Sequence, residues 1–253
     1  MVVNRLKWIV CVVALSVSVG VSAEDVDPWE STNRKIFAFN DVIDKYLLKP
    51  VTVGFKAVTP DFLEDGIRNF FYNASEILTI VNALAQGKFA QSGQDTVRFF
   101  VNSTVGIAGL IDVSTRIGLE RNNEDFSQTL AFWGVSEGPY LVLPILGPST
   151  VRDAATYYPD SSFTMLNTLD HAPTRWQLYM LGVIDLRAKL LDAEVLIVGD
   201  RYTFIRDAYL QRRKFLSSDG EVSDEDLFDD GFDDEDFDDD FEDEDYDEEE
   251  SFD

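Results

Sequence analysis

The chain has 253 residues, 45% of them hydrophobic, and carries 47 Asp and Glu against 21 Lys and Arg for a formal net charge of −26. Such acidity repels phosphates and argues against a nucleic-acid partner, and one histidine with one cysteine leaves no disulfide and a poor recipe for zinc. The acidity is local: 23 of the acids fall in residues 219–253, which hold no Lys or Arg, while residues 1–218 net only −3.

Residues 1–23 read as an export signal. Arg5 and Lys7 give the positive start, Trp8 to Val19 is an apolar run, and Val21, Ser22 and Ala23 offer a small-residue cleavage site before Glu24. The only cysteine, Cys11, lies inside that run behind Trp8, Ile9 and Val10, so lipidation there is not expected and the mature chain has no thiol. Residues 24–218 then form one domain with enough length for a real core.

Its periodicity is helical almost throughout. Asp27, Pro28 and Glu30 give a cap, a first-turn proline and a capping-box acid, after which Ile36, Phe39, Ile43 and Leu47 share a face until Lys49-Pro50 stops the helix. Thr59-Pro60 opens a second helix with Leu63, Ile67, Phe70 and Phe71 on its apolar side. The string Asn73 to Glu76 repeats the capping pattern, and Ile77, Ile80, Val81 and Leu84 carry the next helix to Gly87. Further helices are expected from about Phe89, over residues 126–133 with Gly134 closing, from Ser149 to Tyr157, over residues 173–193 with Tyr179, Val183, Leu186 and Leu190 in register, and over residues 200–217. Long strand-like alternation is absent, which excludes an outer-membrane barrel and makes the fold class all-α.

Two apolar stretches stand out because glycine, proline and lone polar residues break them. Residues 99–111 run 13 positions and residues 138–151 run 14 before the first charge, short of the roughly 20 that a spanning helix needs. Broken backbone at membrane depth survives only where protein or a water-filled cavity satisfies its amides. The pattern suggests re-entrant segments that line a path at a membrane surface; two buried segments of a soluble core are the alternative. Interleaved aromatics and cations (Phe37, Phe39, Phe70, Phe71, Tyr72 with Arg34, Lys35, Lys49, Lys56, Arg68, Arg98) suit a headgroup-level position. The tail from residue 219 spaces Phe228, Phe232, Phe237, Phe241, Tyr246 and Phe252 among its acids, the composition of a disordered segment that either solvates or docks on a basic partner.

Catalytic options are few. His171 stands beside Asp170 at a helix start, a position typical of a structural hydrogen-bonder, and no Gly-x-Ser-x-Gly elbow or phosphate-cradling Gly-x-x-x-x-Gly-Lys occurs. The chain is not expected to be an enzyme, nor to hold a metal or cofactor.

The order of motifs is itself informative. Residues 27–40 (DPWESTNRKIFAFN), Lys49-Pro-Val, residues 98–112 (RFFVNSTVGIAGLID) and residues 128–153 (QTLAFWGVSEGPYLVLPILGPSTVRD) together resemble the MlaA (VacJ) family across residues 27–216. The resemblance implies a ring-like, α-helical protein in the periplasmic leaflet of a Gram-negative outer membrane, partnered with a trimeric porin. It implies that glycerophospholipid misplaced in the outer leaflet passes through an amphipathic channel to a soluble periplasmic carrier resembling MlaC, with no bond made or broken. The channel would be lined or gated by Phe99, Phe100, Gly106, Gly109, Phe132, Trp133, Gly134, Gly138, Pro139, Tyr140, Pro144, Gly147 and Pro148, with Phe39-Asn40 near its mouth. The acidic tail could contact the carrier by electrostatic steering. An adaptor that binds porins without moving lipid is the alternative reading.

Overall fold

The computed structural model describes residues 26–220; the export signal, Cys11 and most of the acidic tail lie outside them. Helix α1 (Glu30–Ile43) passes through a π-helical turn (Asp44–Leu48) into α2 (Lys49–Val58). Then come α3 (Asp61–Ala85), α4 (Phe89–Thr104) and the short α5 (Val113–Arg116) and α6 (Phe126–Phe132). A β-hairpin of β1 (Tyr140–Leu143) and β2 (Gly147–Thr150) precedes α7 (Val151–Ser162), α8 (Ala172–Leu191) and α9 (Arg201–Ser217). Short 3₁₀ segments, Met165–Thr168 and Asp192–Leu196, bracket α8. The class is all-α with one small antiparallel sheet, in which Tyr140 faces Thr150 and Leu143 faces Gly147.

Three local expectations give way. Lys49-Pro50 does not stop the first helix: the Lys49 N–H reaches Asp44 O, an i→i+5 bond, so one wide turn absorbs the proline at the start of α2. Asp27 does not cap α1, whose flanking Trp29 has no side-chain cap; it is buried and accepts from Asn33 Nδ2 at 2.7 Å and from the Tyr202 hydroxyl. Asn73 begins nothing. It sits inside the 25-residue α3 and donates to Ser103 Oγ of α4 at 2.9 Å.

A single cause underlies the last two. The polar face of each long helix points inward and the apolar face points out. In α3 the buried residues include Glu64, Asn73, Glu76, Thr79 and Asn82; in α4 they are Ser92, Asp95, Arg98 and Asn102; in α8 they are Asp185, Arg187 and Ala188. Much of the apolar stripes read from the sequence lies outside, with Leu186 60% and Leu47 65% exposed. Apolar packing survives locally, where Tyr140, Val142 and Tyr202 form a small buried cluster joined by Ile36, Phe37, Tyr209 and Leu210. Among the described residues no helix is long and apolar enough to cross a membrane.

Candidate functional site

The second broken apolar stretch builds the site. Gly138 (φ 73°), just before β1, and Gly147 (φ 87°), which opens β2 after the turn, occupy left-handed backbone that favours glycine. Strand β1 pairs with β2 along one edge, and α1 satisfies the other. Asn33 Nδ2 donates to Tyr140 O at 3.2 Å while its Oδ1 accepts from Val142 N at 3.0 Å. One strand pair further, Asn40 Nδ2 donates to Leu143 O at 2.9 Å and its Oδ1 accepts from Ile145 N at 2.7 Å. Asn33 and Asn40 are seven residues apart, on one helical face, so two side-chain amides imitate a third strand. Ile145 itself holds φ 69°, a costly conformation for a β-branched residue that the Asn40 contact supports.

Between the hairpin and helices α6, α7 and α9 lies an open cleft of about 320 Å³. Leu143, Leu146, Pro148, Tyr157 and Leu216 give it apolar wall, while Asp125, Asp153, Asp160, Arg212 and Arg213 give it charge. Arg213 holds the floor together: Nη1 donates to Asp125 Oδ2 at 2.6 Å and Nη2 lies 2.9 Å from Asp153 Oδ1. Burial pushes the Asp125 carboxyl up, but Arg213 outweighs it and the net shift is downward. The Tyr209 hydroxyl donates to Asp153; burial and that carboxylate keep the phenol protonated far above its ordinary range. Asp160 accepts from Phe126 N at 2.9 Å, and burial pushes it up to about 6.

Of the residues singled out in the sequence, Pro148 lines this cleft, and Pro144 and Gly147 belong to the exposed hairpin end. Tyr140 is 1% exposed inside the apolar cluster, with Pro139 half-buried before it. Phe132 and Trp133 are exposed at the end of α6; Trp133 Nε1 donates to Ala85 O at 3.2 Å, and Gly134 (φ 85°) closes the helix. Phe99 and Phe100 meet edge to face with centroids 5.6 Å apart on the outer side of α4. Gly106 and Gly109 sit in the turn beyond α4, where they permit close backbone packing: a Cβ on Gly106 would lie 2.2 Å from Ile111 O, and one on Gly109 would lie 2.5 Å from Asn73 Cβ. The structure thus separates hairpin and cleft from the α4 turn. Asn40, expected near the mouth, does meet the hairpin; Asn33 and the α9 arginines were not singled out, and the seven-residue spacing of Asn33 from Asn40 is the one signal for the former.

Elsewhere the interior is a lattice of charge pairs. Arg98, 2% exposed, donates through Nε to Glu76 Oε1 at 3.1 Å and through Nη2 toward Asp112 at 3.4 Å. Burial pushes Glu76 up to about 7 despite the Arg98 contact. Arg187 makes a fork to Asp44 at 2.7 and 2.9 Å and also donates to Glu194. His171 Nδ1 lies 2.7 Å from Thr174 Oγ1 and 3.4 Å from Thr174 N, a cap on α8. Among the described residues no cluster of three or more His, Cys, Asp or Glu could hold a metal ion.

Charges within, bulky apolar side chains without, and an amphipathic cleft beside a pinned hairpin define a class: a helical, amphipathic protein suited to an apolar medium on its outside. The chain belongs to the MlaA lipoprotein family, whose model matches residues 25–216. It is 34% identical over 206 residues to the intermembrane phospholipid transport system lipoprotein MlaA of Escherichia coli, covering 79% of this chain and 82% of that one. A protein of Rickettsia prowazekii is 42% identical over 130 residues, a match that spans about half the length of each chain (51% and 52%). A solved structure, reported as the structural basis for maintenance of bacterial outer membrane lipid asymmetry, superposes with TM-score 0.66 at 36% identity, covering 76% of this chain and 98% of that one.

Proposed function

We propose that this protein moves glycerophospholipid at the outer membrane, removing misplaced molecules from the outer leaflet through an amphipathic path and passing them to a soluble periplasmic carrier. The observation that carries the reading is the reversed polarity of the helices. Exposed Leu47, Trp176, Val183 and Leu186 meet acyl chains, while buried Glu76, Arg98, Arg187 and Arg213 keep a polar interior. Such a body sits in one leaflet, and among the described residues no helix is long and apolar enough to span. The relatives named for phospholipid transport and lipid asymmetry support the same conclusion.

In this reading the hairpin and cleft form the mouth: apolar wall for chains, Arg212 and the Asp125–Arg213–Asp153 floor for headgroups. No covalent step is involved. A trimeric porin holds the domain of residues 24–218 in the membrane, the export signal is removed near Ala23, and attachment needs no lipid on Cys11. The tail from residue 219, rooted where Asp219 pairs with Lys88, steers a basic carrier.

The test is extraction of the mature protein in mild detergent with lipid analysis, together with measurement of outer-leaflet phospholipid in cells carrying Leu146→Trp. Co-purified intact phospholipid and impaired clearance by the folded variant are expected. Porin binding without lipid would favour an adaptor, and release of fatty acid from the cargo would favour a lipase.

A further inference from the structure

Among the strongly buried cations, Arg98, Arg187 and Arg213 are held by Glu76, Asp44 and Asp125, and Arg152 is saturated by Ser127 Oγ, Val135 O and Ser217 Oγ. The half-buried Arg121 and the exposed Lys189 instead meet at one aromatic ring. The Arg121 guanidinium lies 3.4 Å from the centroid of the Tyr72 ring, and Lys189 Nζ lies 3.5 Å from the Tyr72 hydroxyl. Neither makes an ion pair with a carboxylate among the described residues. Asp185 feels Lys189 electrostatically, but its ion pair is with Arg68, at 3.8 Å. Three separate parts of the chain supply the cluster: Tyr72 from α3, Lys189 from α8 and Arg121 from the segment after α5.

The acids nearby are bonded to another cation, although Glu76 also feels Arg121 electrostatically. Tyr72 and Arg121 line a small cavity with Asn69 and Asn73, in which Arg121 Nε and Asn73 Oδ1 are buried without hydrogen-bond partners. The two acids on its wall, Glu76 and Asp112, are both engaged by Arg98. A guanidinium covering a ring face keeps its N–H edge free to project past the rim. A guanidinium, an ammonium and a phenol O–H thus gather around one ring, a donor set suited to an oxyanion. The phenol reports the same field: burial pushes it up, but Lys189 and Arg121 together outweigh burial and bring it below its ordinary value.

We propose that Tyr72, Arg121 and Lys189 form a binding site for a phosphate oxyanion, carried by a glycerophospholipid headgroup or by free phosphate. The headgroup source rests on the transport reading; the oxyanion chemistry does not.

Calorimetric titration of the mature protein in non-ionic detergent with two probes, inorganic phosphate and dihexanoylphosphatidylglycerol, separates the sources. Loss of charge-assisted hydrogen bonds in Arg121→Gln and Lys189→Gln should weaken binding about tenfold or more each. Lys189→Arg should stay within about threefold of the unaltered protein, as charge and donor are kept. Lys35→Gln, an exposed cation on α1, should change nothing. Binding of the lipid probe in competition with phosphate assigns a headgroup site, and binding of phosphate alone assigns a free-anion site; both uphold the proposal. A second readout covers variants that fold poorly: in the unaltered protein, bound phosphate should raise the Tyr72 phenol titration, a signal absent in Tyr72→Phe. Equal affinity in Arg121→Gln and Lys189→Gln, or no binding of either probe to the unaltered protein, overturns the site. Failed lipid clearance with normal phosphate binding would count against the transport reading instead.

Discussion

Asn33 and Asn40 make the same pair of hydrogen bonds, yet burial separates their expected contributions. Asn33 is 2% exposed, so Asn33→Ala leaves Tyr140 O and Val142 N unpaired in a dry place. A loss of about 2–3 kcal/mol is expected, read as a lowered thermal midpoint in detergent. Asn40→Ala uncovers Ile145 N near the exposed end of the hairpin, where water replaces the amide; the cost should stay under about 1 kcal/mol. Hydrogen exchange at Ile145 should nonetheless rise sharply, without change at Val142. Ile145→Gly should stabilise the turn by about 1 kcal/mol, because glycine adopts φ 69° without the clash that isoleucine suffers. Gly109→Ala should do the reverse. Its Cβ would press on Asn73 at 2.5 Å, and a loss above about 3 kcal/mol is expected in the same thermal assay.

Across elements, the α3–α4 pair is joined by Glu76 and Arg98, and this gives stability a pH dependence. Burial raises Glu76 from 4.5 to about 7 in the folded protein. The folded state therefore binds the proton more tightly than the unfolded chain, so this contribution is complete below pH 4.5 and is lost as pH rises through 7. Glu76→Gln should flatten the decline between those values in urea titrations at a series of pH. The helices themselves were legible from their periodicity, as were the stop at Gly87, the close at Gly134 and the structural role of His171. Faces and caps were not. Reading Asp27 and Asn73 as caps assumes that polar side chains have nothing better to bond than a helix end. Here Tyr202, Asn33 and Ser103 wait in the interior, and tertiary partners win. The hairpin escaped because Leu141, Val142, Leu143 and Leu146 carry no alternation that a four-residue strand would reveal. Their pairing depends on an α1 face more than a hundred residues upstream.

For the whole molecule, the decisive sign is that the period of each apolar stripe was readable but its direction was not. Tyr179, Val183, Leu186 and Leu190 obey the helical repeat equally well facing a core or facing lipid. The choice depends on what the opposite face can bury, and Asp185 and Arg187 find partners in Arg68 and Asp44. Removing apolar area from the outside should therefore weaken membrane association more than folding. Trp176→Lys combined with Leu186→Lys is expected to reduce partition onto phospholipid vesicles about tenfold or more, with helical content by circular dichroism unchanged. The family resemblance was legible from motif order alone, and the family match over residues 25–216 agrees with it.

The paired carboxamides along β1 have one further corollary. Neither carries charge and neither titrates, so their grip on the strand is indifferent to ionic strength and acidity, unlike the arginine forks that tie α9 to α6 and α8 to the π-helical turn. Salt or acid strong enough to loosen the arginine forks would leave the hairpin still seated on α1. That makes this corner the fixed reference from which the rest of the body can move.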